Sequence, residues 1–283
     1  MAAGAQRVNT LEAERFERRF GGLRRLYGVE GAQRIFGAHA VVVGIGGVGS
    51  WAAEALARSG VRRLTLIDLD HVAESNINRQ VHASEATLGQ AKTEAMRDRI
   101  LGFHPDIELE LVDDFVDADN WPTLLRGQRP DGVIDACDQV RAKTAMAAWA
   151  REQRVPFISV GAAGGKRRAE AVQIADLADV THDPLLAQLR YRLRKHHAAP
   201  RAGALRVACV HSKESVAPPD PSCAVGGDAS VDGSLNCHGY GSVVSVTATF
   251  GLCAAGWLLD GFARGDVKKV KASFEEVKND AII

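Results

Sequence analysis

Apolar positions first form an uninterrupted run at Val41-Val42-Val43, and a continuous run without alternation predicts a parallel strand buried on both faces. Trp51, Ala52, Ala55 and Leu56 then recur at helical spacing across residues 50–59, and Leu64-Thr65-Leu66-Ile67 predicts a second strand. The alternation continues with strands at 107–112, 133–138 and 157–160, a short helix at 121–125 and a helix at 141–152. This order predicts an α/β fold: a Rossmann-like, doubly wound, mostly parallel sheet. Beyond residue 165 the pattern weakens to a strand at 171–174 and a helix at 184–196, which predict a C-terminal extension of the sheet. Upstream, residues 1–10 read as disordered, 12–25 as charged and arginine-rich, and 29–36 as a short helix. The Pro/Gly-rich stretch 217–233 reads as a mobile loop.

One apolar segment pulls in two directions. Residues 239–259 carry no charge, and Val243, Val244, Val246, Phe250, Leu252, Trp257 and Leu258 make the segment apolar enough for a membrane span. Its frequent glycine, serine and threonine favour a helix buried in a large core, which reads the same way.

The chain has 283 residues, 46% hydrophobic, a length that suits one large α/β domain. Lysine plus arginine equals aspartate plus glutamate at 35 each, so there is no global electrostatic claim on nucleic acid, and no DNA partner is expected. Cysteines 137, 209, 223, 237 and 253 are odd in number and never spaced C-x-x-C. With no cleavable N-terminal signal in view, they predict reduced thiols in the cytoplasm and no structural zinc.

The chemistry gathers at the predicted strand ends. Gly44-Ile45-Gly46-Gly47-Val48-Gly49 joins the first strand to the helix at 50–59, where close backbone approach and free N–H groups suit a phosphate. Asp68, about 20 residues on at the end of the second strand, is placed to accept from ribose hydroxyls. Asn76, Asn78, Arg79 and Gln80 then crowd donors into the crevice, and Lys92 brings an ammonium to the next helix. A dinucleotide's pyrophosphate needs little beyond the glycine turn, whereas a triphosphate needs cations around it, so ATP is favoured over NAD. Asp70 either contacts the nucleotide or bonds the loop backbone. Asp138, in a second strand-end acid pair with Asp135, is placed to hold magnesium through oxygen. The domain then divides into an arm (1–36), a nucleotide-binding half (37–160) and a C-terminal substrate half (161–283).

From 190 to 213 the charges have one sign: Arg190, Arg192, Arg194, Lys195, Arg201, Arg206 and Lys213, with no acid. Such a run is either a solvated face or a surface for nucleic-acid phosphates, with Arg167 and Arg168 as candidates to join it. Cys137 reads as small core packing. Cys223, Cys237 and His238 leave a thioester relay open.

The sequence of GIGGVGS, LIDLD, N-I-N-R-Q, GQAK and DACD motifs resembles the ubiquitin-activating-enzyme-like (ThiF-type) superfamily, whose bacterial members include the molybdopterin-synthase and thiamine-pathway adenylyltransferases. Within it, Arg19-Phe20-Gly21-Gly22, residues 49–58, Val112-Asp113-Asp114-Phe115-Val116 and residues 246–251 are similar to the bacterial tRNA threonylcarbamoyladenosine dehydratases. The resemblance covers about residues 15 to 255 and implies ATP-dependent cyclisation of the threonylcarbamoyl group on the adenosine beside the tRNA anticodon, through an acyl adenylate. It also implies that Gly46, Gly47 and Gly49 cradle phosphate, that Asp68 holds ribose, that Asn76 and Arg79 bind the triphosphate, and that Lys92 and Asp138 serve charge and magnesium. Arg79, Lys92 and Asp138 are thereby the expected catalytic set. Arg190, Arg192, Arg194, Lys195, Arg201 and Arg206 are the expected tRNA surface. A homodimer is implied too, although Gly22 stands where better-known members carry an arginine that reaches into the partner, leaving Arg19 or Arg25 for that task. A monovalent cation and a sulfur-transfer partner stay open. Two rival activities remain: adenylation of a ubiquitin-like sulfur carrier with a cysteine relay, and NAD-dependent oxidoreduction.

Overall fold

The computed structural model describes residues 12–218 and 240–265. Residues 1–10 and most of the 217–233 stretch, with Cys223, Cys237 and His238, lie outside the described residues. Seven strands form one sheet: β1 (His39–Val43), β2 (Arg63–Ile67), β3 (Glu108–Val112), β4 (Gly132–Asp135), β5 (Phe157–Val160), β6 (Val172–Asp176) and β7 (Ala208–Ser212). Their spatial order is β3-β2-β1-β4-β5-β7-β6, parallel throughout except for β6, which runs antiparallel to β7. All residues of β1, β4 and β5 are buried, as expected of strands covered on both faces. The β1 register pairs Val43 with both Ile67 and Asp135, so the strands end at one level and their carboxyl ends open on a single crevice.

The helices cover both faces. On one side lie α1 (Gly22–Phe36), α2 (Gly49–Arg58), α3 (Lys92–Leu101) and α6 (Val244–Arg264); on the other lie α4 (Val140–Gln153) and α5 (Pro184–His196). The helix expected at 29–36 begins earlier, at Gly22, and kinks at Gly28, whose φ of 73° no β-carbon residue adopts comfortably. Glu54, buried on α2, accepts from Arg58 and from Arg99 of α3 and so ties the two helices together.

Among the described residues, α6 is the helix long and apolar enough to cross a membrane, yet it packs as a core helix. Val246, Phe250, Ala254, Ala255 and Leu258 are fully buried, and each large apolar side chain so placed contributes roughly 1.5–3 kcal/mol. Gly251 sets the crossing. A β-carbon there would stand 2.3 Å from the Val48 carbonyl oxygen, at the start of α2. Strand β7 departs from the sequence expectation altogether: Ala-Cys-Val-His-Ser mixes polarities, but the strand is inserted between β5 and the edge β6, where its polar His211 and Ser212 are buried.

Candidate active site

The turn from β1 into α2 is built by two glycines with different tasks. Gly44 takes φ 83°, and a β-carbon on it would meet the Ala136 carbonyl oxygen at 2.9 Å. Gly49 lies behind the loop, where a β-carbon would fall 1.7 Å from the Gly44 carbonyl oxygen. Gly44, Gly46 and Gly47 line the cavity, and Gly49 stands behind them, where the lack of a side chain lets the turn close.

Asp68, at the end of β2, accepts from the Ile45 N–H at 2.5 Å and from the Asp70 N–H at 2.8 Å, so one carboxylate holds both loops and borders the cavity. Burial raises its pKa above the ordinary carboxylate value, against the downward pull of Lys92 and those N–H donors. Lys92 opens α3, with its ammonium buried and 2.6 Å from a carboxylate oxygen of Asp70. Asp70 therefore orients the lysine, and its carbonyl also accepts the Lys92 N–H.

Asn76 is buried beside the cavity, its side-chain oxygen accepting from the Ala73 N–H and its carbonyl accepting from the N–H groups of Arg79 and Gln80. Arg79 reaches over Gly47, its stem about 3.1 Å from where a β-carbon would sit. Its guanidinium donates to the Ser75 carbonyl at 2.6 Å and to Asn78 Oδ1 at 2.9 Å, and Trp51 Nε1 donates to its carbonyl at 2.9 Å. Burial lowers the Arg79 pKa. Asn78, expected to touch nucleotide, does not line the cavity: both ends of its amide are engaged, one by Arg79 and the other by the Ser242 carbonyl. Gln80 lines it, buried, with no partner on Oε1 among the described residues.

Asp138 borders the same cavity, and among the described residues its carboxylate makes no hydrogen bond or ion pair. Its neighbour Asp135 is wholly committed inward. It pairs with fully buried Lys143 at 3.1 Å, accepts from Ser159 Oγ at 2.7 Å and takes the Cys137 thiol. Burial first, then the adjoining Asp135 charge, push the Cys137 pKa well up, so this thiol is inert despite lying at the cavity wall.

Several lining residues carry no site role in the sequence reading. Asp114 and Phe115 follow β3; residues 161–164 follow β5; Leu185, Val216, Tyr240, Ser242 and Thr247 come from distant segments. Backbone atoms of small residues and the convergence of remote loops leave no local sequence signal.

The basic run is divided by the fold. Arg190 turns inward and donates to the carbonyls of Leu177 and Val180 at 3.0 and 2.8 Å, Arg192 has a buried Nε, and Arg194 donates to the Pro200 carbonyl. Lys195, Arg201 and Arg206 remain exposed, with Tyr191 exposed beneath the Lys195 ammonium. Arg190 thus caps carbonyls left open after β6.

A family model, the ThiF family, matches residues 19–274. The chain belongs to the ThiF family. Among relatives, the tRNA threonylcarbamoyladenosine dehydratase of Escherichia coli is 42% identical over 253 residues, covering 87% of this chain and 94% of that protein. The crystal structure of E. coli tRNA N6-threonylcarbamoyladenosine dehydratase, TcdA, in complex with ATP matches with a TM-score of 0.79 at 40% identity, covering 89% of this chain and 96% of that one. The molybdopterin-synthase adenylyltransferase of Salmonella typhimurium is 37% identical over only 135 residues, 48% of this chain. The match to that adenylyltransferase thus stops at about half the chain, whereas the match to the E. coli dehydratase runs through both halves.

Proposed function

We propose that this chain uses ATP to dehydrate threonylcarbamoyladenosine in tRNA to its cyclic form. The observation that carries the reading is one cavity that unites a glycine turn at a helix N-terminus, two cations and an unpaired carboxylate, in a chain similar to the dehydratases over nearly its whole length. The glycine turn and the start of α2 receive phosphate oxygens, with Asp68 on the ribose. Gly46 and Gly47 suit that task because only backbone faces the cavity there, and Lys92 and Arg79 supply the charge a triphosphate requires.

In the first step an oxygen of the threonyl carboxylate attacks the α-phosphorus of ATP, the bond to the β-phosphate breaks, and pyrophosphate leaves. Arg79 and Lys92, already held by Asn78 and Asp70, stabilise the charge that develops on the phosphate oxygens without reorganising. In the second step a nitrogen of the neighbouring ureido group attacks the activated carbonyl carbon, loses its proton and expels AMP, closing the ring. The net change is loss of one water from the nucleoside. No enzyme nucleophile is needed, since intramolecular attack reaches effective molarities on the order of 10⁵ M or more. Magnesium fits the donor set: among the described residues there is no cluster of three ligating side chains, and a single free carboxylate, Asp138, together with phosphate oxygens is the usual arrangement for this ion. When bound it would neutralise phosphate charge.

The reading extends to a cytoplasmic homodimer with Arg19 or Arg25 reaching toward the partner's site, and to tRNA docking through Lys195, Arg201 and Arg206. A monovalent cation and a sulfur-transfer partner are secondary expectations. The test is incubation of the purified protein with ATP and tRNA carrying threonylcarbamoyladenosine, followed by nucleoside mass spectrometry. A nucleoside lighter by one water, formed with AMP and pyrophosphate and absent with Lys92→Ala, is the expected result. No change in the tRNA, alongside adenylation of a carrier protein's C-terminus, would transfer the chain to the rival activity.

A further inference from the structure

The cavity holds about 660 Å³, and its charge is confined to one side. Asp68, Asp70, Arg79, Lys92, Asp114 and Asp138 all follow strands β2 to β4. The wall contributed beyond β5 is uncharged: residues 161–164 (Gly-Ala-Ala-Gly), Leu185, Val216 and Tyr240. Sheet order separates these sides, because β2 and β3 lie on one flank of β1 and β4, while β5 and β7 lie on the other. A nucleotide seated on the glycine turn with its ribose on Asp68 runs toward β2 and β3. The β5 side is left for the second substrate.

That uncharged wall is fixed from behind by buried charge. The Gly161 N–H donates to the Val210 carbonyl, and the Ala162 N–H donates to the buried Asp183 carboxylate, both at 2.9 Å. The buried Lys166 ammonium donates to the carbonyls of Ser212 and Glu214 at 2.9 and 3.1 Å. Gly165 donates to the Gly241 carbonyl and accepts from the Ala217 N–H, each at 2.8 Å, which brings Tyr240 and Val216 to the same rim. Between these fixed points the N–H groups of Ala163 and Gly164 find no partner among the described residues. The surface is thus small-featured, pinned at both ends and, among the described residues, equipped with two unpartnered donors.

We propose that this wall is the acceptor subsite and that it takes an N-carbamoyl amino acid carried on adenine. This rests on the function proposed above. The planar urea lies along the backbone of 161–164 and receives hydrogen bonds from the Ala163 and Gly164 N–H groups. Leu185, Val216 and Tyr240 enclose the short hydroxyethyl side chain. The carboxylate then points across the cavity at the α-phosphorus.

Gly164→Leu tests it, since a β-carbon there would stand 3.6 Å from the Tyr240 β-carbon, an ordinary contact, so the backbone accepts a side chain that fills the subsite. Gly161 and Gly165 are unsuitable: one would strike Asp183 at 2.1 Å, and the other has φ 72°. In Gly164→Leu the ATP dissociation constant should stay within about twofold, while kcat/KM for the modified tRNA falls roughly tenfold or more, at least the equivalent of removing one good hydrogen bond. Tyr240→Ala is the second variant, and it decides if the melting temperature shows that Gly164→Leu is misfolded; it too should lower kcat/KM for tRNA and spare ATP binding. Unchanged tRNA kinetics in the folded variants, or loss of ATP affinity together with tRNA turnover, overturns the assignment. A wild-type protein inert on the modified tRNA would remove the proposed function itself, a result separate from either variant's behaviour.

Discussion

Asn78 Nδ2 donates to the carbonyl of Ser242 at 3.1 Å, joining residues 164 positions apart across the mouth of the cavity. The oxygen of the same amide accepts from Arg79 at 2.9 Å, so a single exposed side chain connects the phosphate-side arginine to the segment that carries Tyr240.

Substitution of Asn78 should therefore affect turnover more than folding. Asn78→Ala frees the Arg79 guanidinium from one of its two anchors and should lower kcat roughly tenfold, in line with the cost of misplaced groups at a reacting centre. Stability should move by no more than about 0.5 kcal/mol, since the side chain is exposed. Asn78→Asp separates the two bonds. It keeps an acceptor for Arg79 and loses the donor to Ser242, so KM for ATP should hold while turnover of tRNA falls. Steady-state kinetics on both substrates are the check, and wild-type values in both variants would show that the bridge is incidental.

The buried pair Lys143 and Asp135 makes the opposite prediction. Neither has any exposed side-chain surface, and the Lys143 ammonium also donates to the Val160 carbonyl at 2.8 Å. Burial alone would lower the lysine pKa, yet the carboxylate beside it holds the value above normal, which favours the charged ammonium. Lys143→Met leaves an uncompensated carboxylate and should cost about 3–5 kcal/mol in urea unfolding. The double variant Asp135→Leu with Lys143→Met removes both charges and should be less destabilised than the single one. A single variant as stable as wild type would mean that the pair is neutral in the native protein.

How far the site is legible in the sequence depends on whether a residue works through its side chain near a strand end. Asp68, Asp70, Arg79 and Asp138 follow strands β2 and β4, and Lys92 opens α3, so the strand pattern and the crevice rule are enough to bring them together. Gly49 and Asn78 carry the right chemistry, but only the closed turn and the Ser242 contact reveal that they act from behind. The wall at 161–164 acts through its backbone, which no side-chain pattern marks. Strand β7 escapes the pattern because its polar His211 and Ser212 are buried rather than exposed, and the inward turn of Arg190 is hidden because charge in sequence does not show which carbonyls a turn leaves open.

Stability should fall in acid through His82. Its ring is buried with neither nitrogen partnered among the described residues, and burial, then the charges of Lys92 and Arg99, lower its pKa to about 4. In the unfolded chain histidine titrates near its ordinary value of 6.5, so between these two pH values the unfolded state binds a proton that the native state refuses. The contribution is fully present above the unfolded pKa and is lost as pH falls through the folded one, a change of roughly 3 kcal/mol. Urea unfolding from pH 7 to pH 4 measures it. His82→Phe should flatten that part of the profile, and an unaltered slope in the variant would assign the acid sensitivity to other groups.

The last prediction concerns the basic face, where the fold separates arginines that hold structure from those free to meet RNA. Arg190 bonds two carbonyls, so Arg190→Glu should lower the melting temperature because it removes both partners and introduces a charge that repels them. Lys195, Arg201 and Arg206 are exposed, and reversing all three to glutamate should leave folding intact. Every phosphate that no longer meets a cation should reduce the dependence of tRNA affinity on salt, with a slope change of about 0.7 to 0.9 per phosphate. Binding of the modified tRNA measured across a salt series should therefore be weaker and flatter in the triple variant, while ATP binding at the glycine turn is unchanged. An identical salt slope in wild type and variant would place the tRNA elsewhere on the surface and leave these three residues as solvated charge.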